Sequence, residues 1–201
     1  MESPPSRKQL THERIVETAA RAIRSGGFSG VGVADIMKQA GLTHGGFYAH
    51  FASRDALLAE ALQHTGRESQ ERIARSAQKR QASGVTPLRA LVEGYLSEAH
   101  LASTESGCPV AALASEMPRQ AESVREAAAQ RVRSLLATVG RTLPADTPAA
   151  TATATATAIA SQLVGALQLA RALGDNAEGK AVLAASRKSL LAQYDTPSPK
   201  A

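Results

Sequence analysis

The chain has 201 residues, 43% of them hydrophobic, with 23 Lys+Arg against 18 Asp+Glu for a net charge of +5. That apolar content fills a core and argues against a disordered or purely low-complexity chain. One cysteine, Cys108, excludes an internal disulfide framework and any multi-thiolate metal site, and fits a reducing compartment. Aromatics are only 3%, and four of them (Phe28, Phe47, Tyr48 and Phe51) lie close together in sequence. Abundant Ala and modest β-branched content favour helices over sheet.

The first ten residues, MESPPSRKQL, lack the apolar run of a signal peptide. The uncharged stretch 147–170 is long enough to span a bilayer, but it is mostly Thr and Ala with Pro148, Gln162 and Gln168. It is read as a soluble helix, and the expected location is the cytoplasm.

Residues 1–8 read as a loose tail. A first helix follows, with Ile15, Val16, Ala19, Ala20 and Ile23 at helical spacing, and Gly26-Gly27 ends it. Phe28 folds back onto the core. A short second helix covers 33–40 with Gly32 as N-cap, Gly41 breaks it, and Leu42 points inward. Thr43 is placed to cap a third helix, HGGFYAHF, and Ser53 caps a fourth that runs as a charge-dense rod to about Ala77. Beyond the loop QASGVTP, Leu88, Leu91, Val92, Tyr95, Leu96 and Ala99 form one helical stripe. Gly107-Cys108-Pro109 opens a short helix, with proline in the first turn where its missing N–H costs nothing. Val124, Ala128, Val132, Leu135, Val139 and Leu143 form another stripe, and 144–148 is a linker. The Thr-Ala alternation at 151–158 has the period of a strand, but its Ala content favours helix, so one helix is predicted from Ala149 to Leu173. Asn176 starts the last helix, and TPSPKA is a frayed tail. The sum is about nine helices and no strand.

The informative feature is the helix, tight turn and helix across 33–51. Ala40 is small enough for the crossing, Gly41 tolerates the positive φ of the turn, and Leu42 plugs the interhelical core. The full string VADIMKQAGLTHGGFYAHFASRDALLAEAL, preceded by an amphipathic helix ending in GGF, resembles the DNA-binding domain of the tetracycline-repressor (TetR/AcrR) family. The match covers roughly 10–62, and its Gly-x-x-Phe-Tyr-x-His-Phe-type ending is the most characteristic part. Family members usually place Thr or Ser where Gly32 stands.

The resemblance implies an all-α protein: a three-helix helix-turn-helix DNA-binding domain (residues 8–68) and a C-terminal helical effector-binding and dimerisation domain (69–195). It implies DNA contacts from Thr43, His44, Gly45, Gly46, Tyr48, His50 and Arg54, with Tyr48 and Arg54 on phosphates. Phe47 and Phe51, with Ile36 and Leu42, are core. Gly45-Gly46 removes side chains that could read bases, so direct readout rests on His44, with Thr43 on phosphate or a thymine methyl. His50 is read as a phosphate neighbour or packing residue, and no metal site is expected. Arg67, Arg72, Arg75, Lys79 and Arg80 read as a solvated helix face.

In the C-terminal part, the effector-pocket candidates are Leu91, Tyr95, Cys108, Met117 and Leu167. Cys108 is read as an inert buried thiol, because no partner cysteine exists to resolve an oxidised form. The dimer-interface candidates are Ile159, Leu163, Leu167 and Leu190, on the last two helices. Residues 1–80 carry 12 Lys/Arg and 8 Asp/Glu, so the basic excess lies in the first part of the chain. The expected function is a homodimeric repressor that binds a pseudo-palindromic operator and is released by a small-molecule effector. The alternative is an architectural DNA-binding protein without an effector. No nucleophile–base set or phosphate loop points to an enzyme, and no cofactor is implied.

Overall fold

A computed structural model of the chain describes residues 4–81, 84–144 and 146–195, without the side chains of 70 and 73–81. The side chains of Arg75, Lys79 and Arg80, and the C-terminal tail, therefore lie outside what is described. Nine α-helices and two short 3-10 helices, with no strand, make up the described residues. They form two compact units, one of residues 1–67 with 105–131, the other of 68–104 with 132–201.

In the first unit, α1 (Arg7–Gly26) starts inside the stretch expected to be a tail. The reason is a capping box: Ser6 Oγ accepts from Gln9 N at 3.2 Å, and Gln9 Oε1 accepts from Ser6 N at 2.7 Å. Two otherwise orphaned donors are satisfied, worth about 1 kcal/mol. Gly27, at φ 74°, ends the helix as expected. Next come α2 (Val33–Gln39), a 3-10 helix (His44–Ala49) and α3 (Arg54–Gln81). Ser53 Oγ accepts from Ala56 N at 3.1 Å, the cap that the sequence predicts for α3.

Ile15, Ile23, Phe28, Ile36, Phe47, Leu57 and Leu62 are buried in one cluster, with Leu42 half-buried against it. Each such side chain contributes roughly 1.5–3 kcal/mol. Leu113, Met117, Val124 and Ala128 join the same cluster. These residues belong to α6 (Pro109–Leu113), the 3-10 turn Met117–Arg119 and the start of α7 (Glu122–Gly140). The sequence reading assigns this stretch to the C-terminal domain. Its apolar face packs instead on the first helices, a long-range pairing that local periodicity does not encode.

The second unit contains α4 (Pro87–Tyr95), α5 (Glu98–Ala102), the end of α7, α8 (Ala149–Leu173) and α9 (Ala177–Tyr194). The stripe read as one helix from Leu88 to Ala99 is broken after Tyr95. Ser97 Oγ accepts from His100 N at 3.2 Å and starts α5 instead. α8 has the predicted bounds, and Asn176 caps α9 by accepting from Glu178 N at 2.9 Å and Gly179 N at 3.1 Å. α7 stops at Gly140, so Leu143 lies beyond the helix, and Val132 is 37% exposed. α8 packs along α9, α4 rests on α9, and α5 touches α8. Leu163, Leu167, Leu183 and Leu190 form the buried seam.

Candidate nucleic-acid interface

The turn between α2 and the 3-10 helix is set by backbone geometry. Gly41 has φ +70°, Leu42 N donates to Met37 O at 2.9 Å, and Gly41 N donates to Lys38 O at 3.0 Å. This paired closure uses the last carbonyls of α2 and turns Leu42 back toward the core. A side chain with Cβ at Gly41 would be strained, since L-residues avoid that φ. Gly32 is the N-cap of α2 and supplies no side-chain cap.

The second helix of the motif departs from expectation in two ways. Its six residues are 3-10 rather than α-helical, with Gly46 N donating to Thr43 O at 3.1 Å and His50 N to Phe47 O at 2.9 Å. Two adjacent glycines cost an α-helix about 1 kcal/mol each, which leaves the tighter form within reach over so short a run. Thr43 holds the N-cap position, but its hydroxyl makes no capping bond. It is exposed and free to meet another group.

A 3-10 helix has three residues per turn, so positions three apart share a face. Phe47 is buried and fixes the inner face, while Gly45 and Tyr48 share an outer one. Tyr48 is 72% exposed, its ring edge-on to Phe47 at 5.2 Å. A large aromatic left this open, with a hydroxyl at its tip, suits a phosphate contact. Thr43, His44 and Gly45 are exposed beside it. The two glycines differ: nothing lies within 4 Å of a Cβ built on Gly45, whereas one on Gly46 would meet Met37 Cε at 3.7 Å. Gly46 therefore faces α2, and Gly45 is the open position.

His50 and Arg54 are turned toward the protein. His50 is half-buried, with Nδ1 buried and lacking a hydrogen-bond partner. Burial first, then His12 and Lys8, hold its pKa below the ordinary histidine value. Arg54 Nη2 donates to the Phe28 carbonyl and reaches Val31 O at 3.4 Å. It ties the start of α3 to the loop between α1 and α2.

The sequence reading missed His12 and Lys8. His12 stacks on Phe51 at 4.5 Å, its Nε2 lies 2.6 Å from Glu60 Oε1, and it faces His50 at 5.9 Å. One turn of α1 thereby braces the C-terminal end of the 3-10 helix. The polar-faced position 12 carries no local signal for this.

The C-terminal candidates distribute over both units. Leu91, Tyr95 and Leu167 are buried in the second unit, while Cys108 and Met117 are buried in the first. Cys108 is the N-cap of α6. Ile159, Leu163, Leu167 and Leu190 are at most 1% exposed in the single chain. They have no surface left to bury against a second copy, so their assignment to a dimer interface is corrected. On α8, Leu169 (62% exposed) and Leu173 (46%) are the large apolar side chains facing outward. Arg67 is exposed and Arg72 half-buried. Among the described residues, no group of three or more His, Cys, Asp and Glu could hold a metal ion, and no helix is long and apolar enough to cross a membrane.

A helix, a glycine turn and an exposed second helix ending in a buried aromatic pair define a helix-turn-helix of the DNA-binding type. A family model described as "Bacterial regulatory proteins, tetR family" matches residues 15–61, and one described as "Tetracyclin repressor-like, C-terminal domain" matches 84–186. The second spans more than half of the chain, which belongs to the tetR family of bacterial regulatory proteins.

Similarity to individual proteins is more distant. An uncharacterised HTH-type transcriptional regulator of Mycobacterium tuberculosis H37Rv is 30% identical over 109 residues, 54% of each chain. The match thus spans about half the length of that relative. The HTH-type transcriptional repressor NemR of Escherichia coli K12 is 24% identical over 133 residues, 66% of this chain and 67% of that one. The crystal structure of a TetR-family regulator from Agrobacterium tumefaciens superposes with a TM-score of 0.74 at 24% identity. That alignment covers 93% of this chain and 98% of the other, and shows the shared fold.

Proposed function

We propose that the chain is a DNA-binding transcription regulator, a repressor that binds a pseudo-palindromic operator as a homodimer and is released by a small-molecule effector. The single observation that carries this is the exposed first turn and outer face of the 3-10 helix. Thr43, His44, Gly45 and Tyr48 stand exposed there on a rigid, fully packed scaffold. Residues 8–68 are the DNA-binding part and 69–195 the effector-binding and dimerising part, with 105–131 packed on the former. Effector binding acts as a population shift, since a ligand with different affinity for two arrangements of the heads changes operator affinity by the same coupling.

His44 reads a base edge, Thr43 and Tyr48 contact phosphates, and Gly45 lets the backbone come close to the groove. With one reading side chain per half-site, shape and deformability of the DNA supply the rest of the specificity. The homodimer forms through the outer faces of α8 and α9, where Leu169 and Leu173 are the apolar anchors. As a cytoplasmic regulator it performs no catalysis.

Footprinting on the DNA that flanks its own coding region tests the proposal. A protected palindrome is expected, with His44→Ala relaxing preference at one position per half-site. Uniform, steeply salt-dependent protection without sequence preference would favour the architectural reading instead. Unchanged base preference in the variant would remove His44 from direct readout.

A further inference from the structure

Gly66 lies inside the 28-residue helix α3 and is buried, although glycine is a poorer helix former than every residue except proline. The space that a side chain would fill is taken by Arg131 of α7. A Cβ on Gly66 would stand 1.3 Å from Arg131 Nη1 and 2.5 Å from Cζ. The guanidinium therefore rests directly on the backbone of α3, where any larger residue would push it away.

Among the described residues, no carboxylate offsets the charge placed there. Arg131 Nε is buried without a hydrogen-bond partner. The charged group that acts on Arg131 is a second arginine, Arg67, adjacent to Gly66 on α3. Among the described residues, no carboxylate pairs with either arginine. Burial first, and then the like charge of Arg67, lower the pKa of Arg131. A partly desolvated cation beside a like charge is unfavourable until an anion joins it. A guanidinium presents a planar fork of donors that fits a carboxylate or phosphate two bonds at a time.

We propose that Arg131 and Arg67, with Gly66 as the seat of the Arg131 guanidinium, form a binding site for a small molecule carrying a carboxylate or phosphate group. This deepens the effector-responsive reading and rests on it for its regulatory consequence, while the binding itself stands apart. The anion offsets the repulsion between the two guanidinium groups and gives the Nη donors of Arg131 acceptors. Its chemistry separates it from the buried apolar candidates Leu91, Tyr95 and Leu167 of the second unit.

The test is thermal unfolding of the full chain with inorganic phosphate and, separately, benzoate, at ionic strength held constant with sodium chloride. A saturable rise in Tm is expected in wild type and in Arg125→Gln, a control on the exposed face of α7. The apparent affinity should weaken about tenfold or more in Arg131→Gln and in Arg67→Gln. Gly66→Ala should unfold no earlier than wild type without ligand, because alanine favours the helix, yet lose the response as its Cβ displaces the guanidinium. The same saturable rise in Arg131→Gln as in wild type, or no saturable rise with either probe, overturns the site. Fluorescence anisotropy on the DNA flanking the coding region separates the two ideas. Binding without release removes the effector role and leaves the site standing. Release that is unchanged in Arg131→Gln removes the site and leaves the regulator.

Discussion

Glu116 Oε2 accepts a hydrogen bond from the backbone N of Phe28 at 2.9 Å, across 88 residues of sequence. The carbonyl of the same residue accepts from Arg54. The bend that leads from α1 into α2 is thus held on one side by the segment before α7 and on the other by the start of α3. Phe28 is 1% exposed, so its peptide group sits where water does not replace a lost partner.

Glu116→Ala should therefore cost about 1–3 kcal/mol in urea unfolding, the price of a part-buried donor left unmade. Glu116→Gln keeps an acceptor oxygen and should recover most of that loss. Equal destabilisation by both variants would show that the carboxylate charge matters, and not the bond to Phe28.

The His12–Glu60 contact at 2.6 Å joins α1 to α3 beside the C-terminal end of the 3-10 helix. Its side chains are 28% and 37% exposed, so solvent screens the pair. A double-mutant cycle of His12→Ala and Glu60→Ala should give a coupling of about 0.5 kcal/mol in stability. The larger effect should fall on DNA binding, because His12 also stacks on Phe51 and faces His50. His12→Ala should weaken operator binding several-fold while Glu60→Ala changes it little. Equal losses from both would assign the effect to the ion pair.

Much of this architecture is legible in the sequence because its causes are local. The bounds of α8 follow from the Ala content and from the four-residue recurrence of Ile159, Leu163 and Leu167. The turn follows from Gly41. What the periodicity leaves hidden depends on choices between near-equal states or on distant partners. Ser97 breaks a stripe that would otherwise continue, and Gly45-Gly46 tips a short helix into the 3-10 form. The return of 105–131 to the first unit rests on Leu113, Met117 and Val124 finding α1, which no local pattern records. The exposed positions Thr43, His44 and Tyr48 are readable from resemblance. The inward turn of Arg54 and the bracing by His12 are not, since both depend on which neighbour folding delivers.

His100 gives the fold an acid limit. Its Nδ1 lies 2.7 Å from Tyr95 O, its ring meets the Tyr95 ring edge-on, and its pKa is lowered to about 4. Burial is the main cause, with Arg72 and Arg171 adding to it, while the bond to Tyr95 O acts the other way. Arg171 also donates to the His100 carbonyl at 2.8 Å and fixes the residue from outside its ring. The unfolded chain takes up this proton near pH 6.5, before the folded one. Stability is therefore fully present above pH 6.5 and is lost as pH falls toward 4. The loss should reach about 2–3 kcal/mol by pH 4.5. Urea unfolding of wild type and His100→Gln at pH 7 and pH 4.5 measures it. The variant should start less stable and show a smaller drop, and parallel drops would remove His100 as the cause.

The last two helices separate folding from assembly. Leu163 is fully buried against the α8–α9 seam, whereas Leu169, six residues on, is 62% exposed. Six residues are about 600° of helix, so the two side chains lie about 120° apart around α8. Leu163→Ala should cost about 2–5 kcal/mol through lost burial and the cavity left behind. Leu163→Arg should unfold the hairpin, because a cation would enter a buried apolar seam. Leu169→Arg should leave unfolding of each subunit almost unchanged and shift sedimentation from dimer to monomer. Its operator affinity should fall with the loss of the second half-site contact. A Leu169→Arg chain that still sediments as a dimer would move the interface away from this face of α8. A Leu163→Arg chain that remains folded and monomeric would return the interface to the seam.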